Sequence, residues 1–208
     1  MNKLKKLFDI YRNQGLLKAV WVFLRVGILP AVEIDKIIPK SGTILDIGCG
    51  NGGLTNYLSI GSPKRKLIGI DLSKSRITDA LKTISKNRHT SFINADVTKI
   101  KLPKVDVYTI VDVLHHISYS NQEKLISFLA KKLARTSILL IKEVDDSNKL
   151  PFLFGHIFEK VLYPREKINT RSRSQWERIF DKYGLTYTVK GGVWYFNDST
   201  TIFILKKV

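Results

Sequence analysis

The sequence is short of cysteine and of acidic residues. Its single cysteine, Cys49, excludes an internal disulfide and fits a reducing compartment such as the cytoplasm. Lys and Arg number 35 against 18 Asp and Glu, which gives a formal charge of +17. The excess is spread along the chain (+5 over 1–40, +7 over 41–150 and +5 over 151–208), so the charge does not form a separate basic tail. Such a balance favours a polyanionic neighbour, either nucleic acid or an anionic membrane surface, or it serves solubility alone.

Long apolar runs are missing as well. The longest, residues 16–29, contains Lys18 and Arg25 and ends at Pro30, so it is too short and too charged to span a bilayer. The basic start of the chain is not followed by a small-residue cleavage site, and no secretory signal is expected. We therefore expect a cytoplasmic protein, with peripheral attachment to the inner membrane face as the alternative.

From Ile44 onward, short β-rich runs alternate with helical patterns, which is typical of a parallel sheet covered by helices on both faces. Two further β-rich runs end the chain, joined by Gly191-Gly192 and a polar turn, and predict an antiparallel hairpin at one sheet edge. The fold class expected is α/β, with a seven-stranded, mostly parallel sheet. The predicted strands are 43–47, 66–70, 91–94, 105–111, 137–144, 185–189 and 200–205.

Helix ends are indicated by capping residues. Ser73 is a credible N-cap for a helix that runs to Ser85. The spacing Ser174-Gln-Trp-Glu177 is that of a capping box and predicts the start of the last helix, which stops at Gly184.

Two segments lie outside the alternation. Residues 1–40 are mostly helical in pattern and are interpreted as an N-terminal helical cap or interfacial segment. Residues 41–208 form the main domain. Within it, 145–173 is longer than a simple connection needs and is interpreted as an inserted lid or substrate segment.

A glycine-rich loop carries the clearest functional signal. Gly48, Gly50 and Gly52 follow a predicted strand and precede a helix, where glycine permits positive φ and close approach of a ligand. Asp71 ends the next predicted strand and is placed to accept hydrogen bonds from both hydroxyls of a ribose. Asp46 would repel a pyrophosphate at this loop but stabilise a cation. The pattern therefore predicts S-adenosylmethionine, whose sulfonium and ammonium are positive, rather than a dinucleotide.

These motifs resemble the class I S-adenosylmethionine-dependent methyltransferases of Rossmann-like fold, specifically the small-molecule branch that includes the quinone-biosynthesis type. Residues 137–180 are also similar to uncharacterised bacterial methyltransferases associated with lipid or polyketide-like biosynthesis. The resemblance implies a set of cofactor-binding residues. They are Asp46, Gly48, Cys49, Gly50 and Gly52 for the methionine part, Asp71 and Leu72 for the ribose, Asp96 and Val97 for the adenine, and Asp112 beside the cofactor.

Candidate catalytic groups follow the fourth and fifth predicted strands. His115 and His116 lie at the rim where acceptors sit in this fold, and histidine titrates near neutral pH, so either is a candidate base for a hydroxyl acceptor. Glu143, at the end of the fifth strand, is a second candidate, together with Asp145 and Asp146. No further ligand set accompanies them, so no metal site is expected.

The acceptor is the open question. Basic and aromatic residues on the short apolar segment 16–29 suit a membrane interface, and residues 150–158 are also apolar. They favour O- or C-methylation of a small, lipophilic acceptor, with peripheral contact between residues 1–30 and an anionic membrane.

Two alternatives remain. The first is an RNA methyltransferase that uses the basic surface, with residues 64–66, Arg171 and Arg173 as candidate phosphate contacts. The acceptor motifs of nucleic-acid methyltransferases are missing, which disfavours it. The second is a cofactor-binding protein without catalytic activity.

Overall fold

The computed structural model describes residues 3–28, 30–83, 89–144, 168–191 and 200–208. Its strands are β1 Gly42–Ile47, β2 Arg65–Asp71, β3 Thr90–Asn94, β4 Val107–Val111, β5 Ile138–Val144, β6 Leu185–Gly191 and β7 Thr200–Lys207. Its helices are α1 Lys3–Arg12, α2 Leu16–Ile28, α3 Ala31–Ile37, α4 Gly53–Gly61, α5 Lys74–Leu81, α6 Tyr119–Lys132 and α7 Arg173–Lys182, with a 3₁₀ turn over Leu114–His116.

Within the described ranges, the seven strands form one sheet in the order β3-β2-β1-β4-β5-β7-β6. The pairs β1–β2 and β2–β3 are parallel, whereas β7 runs antiparallel to both β5 and β6. The predicted seven-stranded, mostly parallel sheet with an antiparallel terminal hairpin is confirmed. By its contacts the chain divides into two compact units, Met1–Tyr108 and Thr109–Val208, called unit one and unit two below.

Unit one has a core of parallel strands whose apolar residues are buried without alternation, as expected for strands covered on both faces. In β2, for example, Leu67, Ile68 and Ile70 are all buried. The N-terminal helices bury Leu7 and Tyr11 completely. The prediction that the first 40 residues are mostly helical is confirmed by α1, α2 and α3.

A buried ion pair attaches α3 to β2. Arg65, 1% exposed, donates from Nη1 to Oδ1 of Asp35 at 2.5 Å, and its other N–H groups bond backbone carbonyls that include those of Pro39 and Ile38. Burial alone would raise the pKa of Asp35, but hydrogen bonds from Lys3, Lys40 and Arg65 outweigh it and lower the pKa to about 2. Because Arg65 is fully engaged inside the protein, it is not available to a phosphate backbone.

Unit two packs α7 against the terminal hairpin. Trp176, Ile179 and Phe180 are buried, and the Phe180 ring meets the Phe203 ring edge to face at 5.1 Å between centroids. These three residues form the buried face of α7, and Gly184, where the sequence predicts the helix to stop, follows it with φ of 65°.

The predicted caps had different outcomes. Ser73 caps α5, since its side chain accepts a hydrogen bond from the Arg76 N–H. The prediction of Ser174 as cap of the last helix is wrong. A full capping box forms two residues earlier, in which Ser172 and Gln175 bond each other's backbone N–H. Ser172-x-x-Gln175 has the same spacing as the predicted box, and in the structure Ser174 Oγ contacts Ser172 Oγ at 3.1 Å.

Candidate functional site

The glycine loop, residues 48–52, turns the chain from β1 into α4. The φ angles of Gly48, Gly50 and Gly52 are 72°, 56° and 82°, which glycine adopts at no steric cost. A Cβ on Gly52 would lie 2.5 Å from Cζ of Phe92, so packing requires glycine there. A Cβ on Gly50 would meet no atom of the described chain within 4 Å. The open side of Gly50 therefore leaves room for a ligand to approach the backbone.

Asp71, the last residue of β2, joins this loop to the start of α5. Its Oδ2 accepts a hydrogen bond from the Gly50 N–H at 2.8 Å, and its Oδ1 accepts one from the Ser73 N–H at 2.7 Å. A carboxylate has about four lone-pair positions, so these two bonds leave capacity for hydroxyl donors. The neighbouring Leu72 is 71% exposed and presents apolar surface beside the carboxylate.

Negative charge is concentrated beneath the loop. Asp46 is 2% exposed and accepts a hydrogen bond from Thr55 Oγ1 at 2.5 Å. Burial raises the pKa of the Cys49 thiol, and the carboxylates of Asp46 and Asp71 raise it further. The thiol therefore stays protonated at neutral pH. The two carboxylates give the surroundings of the loop a negative potential. Such a potential stabilises a cation and repels a phosphate.

The turn after β3 is tied to the same edge. Asn94 donates from Nδ2 to the backbone carbonyls of Asp71 and Leu72, both at 2.9 Å. Asp96 Oδ1 accepts hydrogen bonds from the side chain and backbone of Thr98, which lower the pKa of Asp96. Asn94 was not assigned a role of its own from the sequence. Its two bonds show that it holds the ends of β2 and β3 together.

The N-terminal helices contact the glycine loop directly. Tyr11 of α1 donates its hydroxyl hydrogen to the carbonyl of Asn51 at 2.7 Å, and Asn56 of α4 donates to the Tyr11 oxygen at 2.9 Å. Burial raises the pKa of the Tyr11 hydroxyl and is the largest of the effects on that pKa. This buried network fixes the loop backbone at Asn51. It joins residues 40 or more positions apart, and neither the apolar pattern nor the motifs signal the pairing.

The second helix covers the end of the same loop. A Cβ on Gly53 would lie 3.0 Å from Val26 and 3.4 Å from Val22, so α2 approaches the start of α4 closely. Lys18 of α2 forms an ion pair with Asp79 of α5. In the structure, part of the predicted cap or interfacial segment thus packs against the loop that the motifs assign to the cofactor.

In unit two, Asp112 follows β4 with φ of 54°, a left-handed conformation that is rare for a residue with a side chain. Its carboxylate accepts a hydrogen bond from Lys142 Nζ at 2.5 Å, and its backbone N–H donates to the Lys142 carbonyl at 3.1 Å. Lys142 is 7% exposed. Neutralising a buried ammonium explains why a lysine is tolerated within the apolar strand β5.

Glu143, the next residue of β5, organises the turn that follows Asp112. Its Oε1 accepts hydrogen bonds from the backbone N–H groups of Val113 and Leu114, at 3.0 and 2.7 Å. Its Oε2 is 2.6 Å from Nδ1 of His115. Both oxygens are thus engaged within the protein, and the side chain is 2% exposed. These contacts fix the 3₁₀ turn and orient the imidazole of His115.

The two histidines differ in accessibility. His115 is 2% exposed, whereas His116 is partly exposed and packs its ring on that of His115, 4.2 Å between centroids. The structure therefore brings together the three candidate catalytic residues predicted from the sequence, His115, His116 and Glu143. The three residues differ in exposure, because His116 is partly exposed whereas His115 and Glu143 are buried.

Other predicted features lie outside the described residues. These are Asp145, Asp146 and most of the inserted segment 145–173. Within the ranges that the structure describes, no group of three or more His, Cys, Asp or Glu side chains is arranged to hold a metal ion.

Comparison with known proteins identifies the family. A family model described as "Methyltransferase domain" matches residues 25–189, more than half of the chain. The chain belongs to this family. The cofactor that the family and its cofactor-bound structural neighbours indicate is S-adenosylmethionine. This confirms the cofactor that the sequence of the glycine loop predicts.

Curated relatives of this methyltransferase domain are longer than the chain. A probable (S)-tetrahydroprotoberberine N-methyltransferase 2 from Papaver bracteatum is 31% identical over 125 residues, which is 59% of this chain and 33% of that protein. A malonyl-(acyl-carrier protein) O-methyltransferase from Halalkalibacterium halodurans is 34% identical over 70 residues, 33% of this chain and 26% of the relative. The chain thus spans about a third or less of these two proteins.

Solved structures share the methyltransferase fold at low identity. Human N-acetylserotonin methyltransferase in complex with SAM matches with a TM-score of 0.72 and 17% identity, over 95% of this chain and 57% of that one. Magnesium protoporphyrin IX methyltransferase from Synechocystis, with bound SAH, matches with a TM-score of 0.66 and 15% identity over the whole of both chains.

The residues at the glycine loop of the methyltransferase domain are suited to bind this cofactor. The open side of Gly50 admits a ligand, the carboxylates of Asp46 and Asp71 favour a cation, and Asp71 retains acceptor positions for ribose hydroxyls. The exposed side chain of Leu72 offers apolar surface next to them. When bound, the cofactor supplies an electrophilic methyl group on a sulfonium.

Proposed function

We propose that this chain transfers the methyl group of S-adenosylmethionine to an oxygen or carbon atom of a small, lipophilic acceptor. The observation that carries the proposal is the glycine loop with its open face at Gly50, set above the buried carboxylates of Asp46 and Asp71. The family match supports the reaction type.

Three observations support a small, apolar acceptor over RNA. The relatives described above are named for a tetrahydroprotoberberine and for malonyl-(acyl-carrier protein), and neither name refers to RNA. One member of the predicted basic run 64–66, Arg65, is buried in an ion pair. The first unit also carries exposed apolar residues, among them Leu17 and Leu24.

The proton-accepting group in this proposal is His116. Glu143 uses both of its oxygens on the turn 113–115, and His115 is almost fully buried, so neither is open to an acceptor. His116 is partly exposed on the same turn. We assign the His115–Glu143 pair to positioning, since it holds the turn that presents His116.

The reaction itself needs little covalent participation by the protein. Methyl transfer is an in-line displacement, so aligning the acceptor and excluding water supply most of the acceleration. A base contributes by removing the proton of a hydroxyl acceptor, at about 10²–10⁴-fold.

The direct test is to incubate the chain with methyl-labelled S-adenosylmethionine and a host extract, and then to separate lipid, RNA, protein and aqueous fractions. Label in an organic-soluble product that is lost with Asp71→Ala supports the proposal. Label in RNA would overturn the acceptor class. His116→Gln tests the proposed base. Gln122→Ala is not a suitable control, because Gln122 donates a hydrogen bond to the carbonyl of Leu114 in the same turn. Arg135→Gln, a substitution of an exposed residue after α6, is suitable.

A further inference from the structure

The helix α2 exposes an apolar face that the N-terminal packing leaves uncovered. Its inner face buries Ala19, Val22 and Val26. Its outer face carries a run of large apolar side chains with exposures from 38% to 88%. These are Leu16 at 62%, Leu17 at 88%, Val20 at 39%, Trp21 at 38% and Leu24 at 51%.

Helical geometry places these side chains in one stripe. At 3.6 residues per turn, Leu17, Trp21 and Leu24 are separated by about one turn each, and Leu16 and Val20 lie beside them. A helix that is apolar on all sides is normally buried. Contiguous exposed apolar surface of this kind marks an interaction site in a soluble domain.

The charge near this apolar stripe distinguishes between the partners that could bind it. The two helices at residues 3–28 contain six Lys and Arg but one acidic residue, Asp9. Lys5, Lys6 and Arg12 are exposed on α1, which packs against α2. Packed helices lie about 8–10 Å apart, which is about one Debye length at physiological salt, so part of the field of these charges reaches the stripe. A second copy of this chain would bring the same positive charge, whereas an anionic bilayer brings the opposite charge.

The length of α2 fits the plane of a bilayer rather than its thickness. With 13 residues the helix is about 20 Å long, shorter than a hydrocarbon core of about 30 Å. Consistent with this, no helix among the described residues is long and apolar enough to cross a membrane. A short helix with one outward apolar face and basic residues nearby is the form that interfacial helices take.

We infer that the outer face of α2, centred on Leu17, Trp21 and Leu24, docks on an anionic membrane surface. The inner face of the same helix contacts Gly53, the first residue of α4, which directly follows the glycine loop. Docking through the outer face therefore brings the cofactor loop to within one helix diameter of the lipid headgroups, about 10 Å. The test of this inference is independent of the transfer reaction, because it measures adsorption of the chain and not methylation of an acceptor.

The test is flotation of the full chain with vesicles of phosphatidylcholine alone and with an equal mixture of phosphatidylcholine and phosphatidylglycerol. We expect flotation with the anionic vesicles and its loss when salt is raised from about 0.1 M to about 1 M, which shortens the Debye length from about 10 Å to about 3 Å. The emission of Trp21 is expected to shift to the blue on binding, and Trp21→Phe should abolish that shift.

Two sets of variants separate the apolar and the electrostatic contributions. Leu17→Glu with Leu24→Glu should abolish flotation, whereas the matched control Leu81→Glu, at 49% exposure against 51% for Leu24, should float like the wild type. Lys5→Gln with Lys6→Gln should weaken partitioning on the order of tenfold or more without changing the apolar face. Calorimetric binding of S-adenosylmethionine verifies that each variant is folded.

The inference is overturned if the wild type does not float with anionic vesicles, or floats equally with neutral ones. It is also overturned if sedimentation shows a dimer that the Leu17→Glu and Leu24→Glu variant dissociates, since the face would then bind a second copy. None of these outcomes bears on methyl transfer, which the extract experiment measures separately.

Discussion

Removing the carboxylate of Glu143 is expected to destabilise unit two strongly. Glu143→Ala removes the shared hydrogen-bond partner of three groups. Two of them, the Leu114 N–H and Nδ1 of His115, are buried, and the third, the Val113 N–H, is partly buried. Each unsatisfied buried donor costs about 1–3 kcal/mol, and the partly buried one less because water can reach it. We therefore expect a loss of about 3–5 kcal/mol in the free energy of unfolding.

Glu143→Gln provides the graded comparison. The amide retains one oxygen that can accept from the two backbone N–H groups, but it loses the negative charge that strengthens all three hydrogen bonds. A loss of about 1–2 kcal/mol is expected, smaller than that of the alanine variant. Because the turn also carries His116, we expect the turnover rate of Glu143→Gln to fall more than its affinity for S-adenosylmethionine.

Urea unfolding with a constant m-value measures these differences. Glu177→Ala is the control, because Glu177 forms an i,i+4 ion pair with the exposed Arg173 within α7, and the loss of such a pair should cost about 0.5 kcal/mol or less. If Glu143→Ala costs no more than Glu177→Ala, the turn does not depend on this carboxylate, and its positioning role is refuted.

Three further predictions concern unit one. Because the folded-state pKa of Asp35 is about 2, below its ordinary 3.8, its charge contributes about 2 kcal/mol that is present above pH 4 and lost as the pH falls toward 2. Acid unfolding should show this loss of stability, and Asp35→Asn should abolish this dependence on pH. The same substitution leaves the Arg65 guanidinium without its carboxylate partner and should make the protein about 3–5 kcal/mol less stable. Gly52→Ala should destabilise the loop by more than about 1 kcal/mol, since its Cβ would lie 2.5 Å from Phe92, and Phe92→Leu should partly restore stability. The Cys49 thiol should resist a disulfide reagent at neutral pH in the folded protein, because burial raises its pKa, and rapid labelling would contradict its buried position.

Much of this architecture can be predicted from the sequence because its determinants are local. The order of strands and helices follows from apolar patterning, and the glycine loop follows from residues that are close along the chain. Ser73 is predictable as an N-cap because serine is among the residues preferred at that position, and the structure confirms it. The sequence predicts the box at Ser174 rather than at Ser172, because Ser174 and Glu177 offer a serine and an acid at the same spacing. The sequence alone does not indicate which serine has an extended backbone.

The buried polar contacts within each unit could not be predicted, because they depend on pairs that are distant in sequence. Tyr11 meets Asn51 across 40 positions, Lys142 meets Asp112 across 30, and Glu143 reaches the N–H of Val113 across 30. Apolar periodicity indicates that a residue is buried but not which polar group it meets. The positioning role proposed for Glu143 is supported by its contacts with Val113, Leu114 and His115, and no sequence pattern indicates those contacts.

The central claim is that the glycine loop of this methyltransferase domain, together with the neighbouring carboxylates of Asp46 and Asp71, binds S-adenosylmethionine. Isothermal titration of the full chain with S-adenosylmethionine tests it most directly, with Asp71→Ala and the exposed-site variant Arg135→Gln measured alongside. We predict saturable one-to-one binding by the wild type and by Arg135→Gln, weakened at least about tenfold by Asp71→Ala through the loss of hydrogen bonds to a charged group. Absence of binding by the folded wild type, or equal affinity of Asp71→Ala, would contradict it.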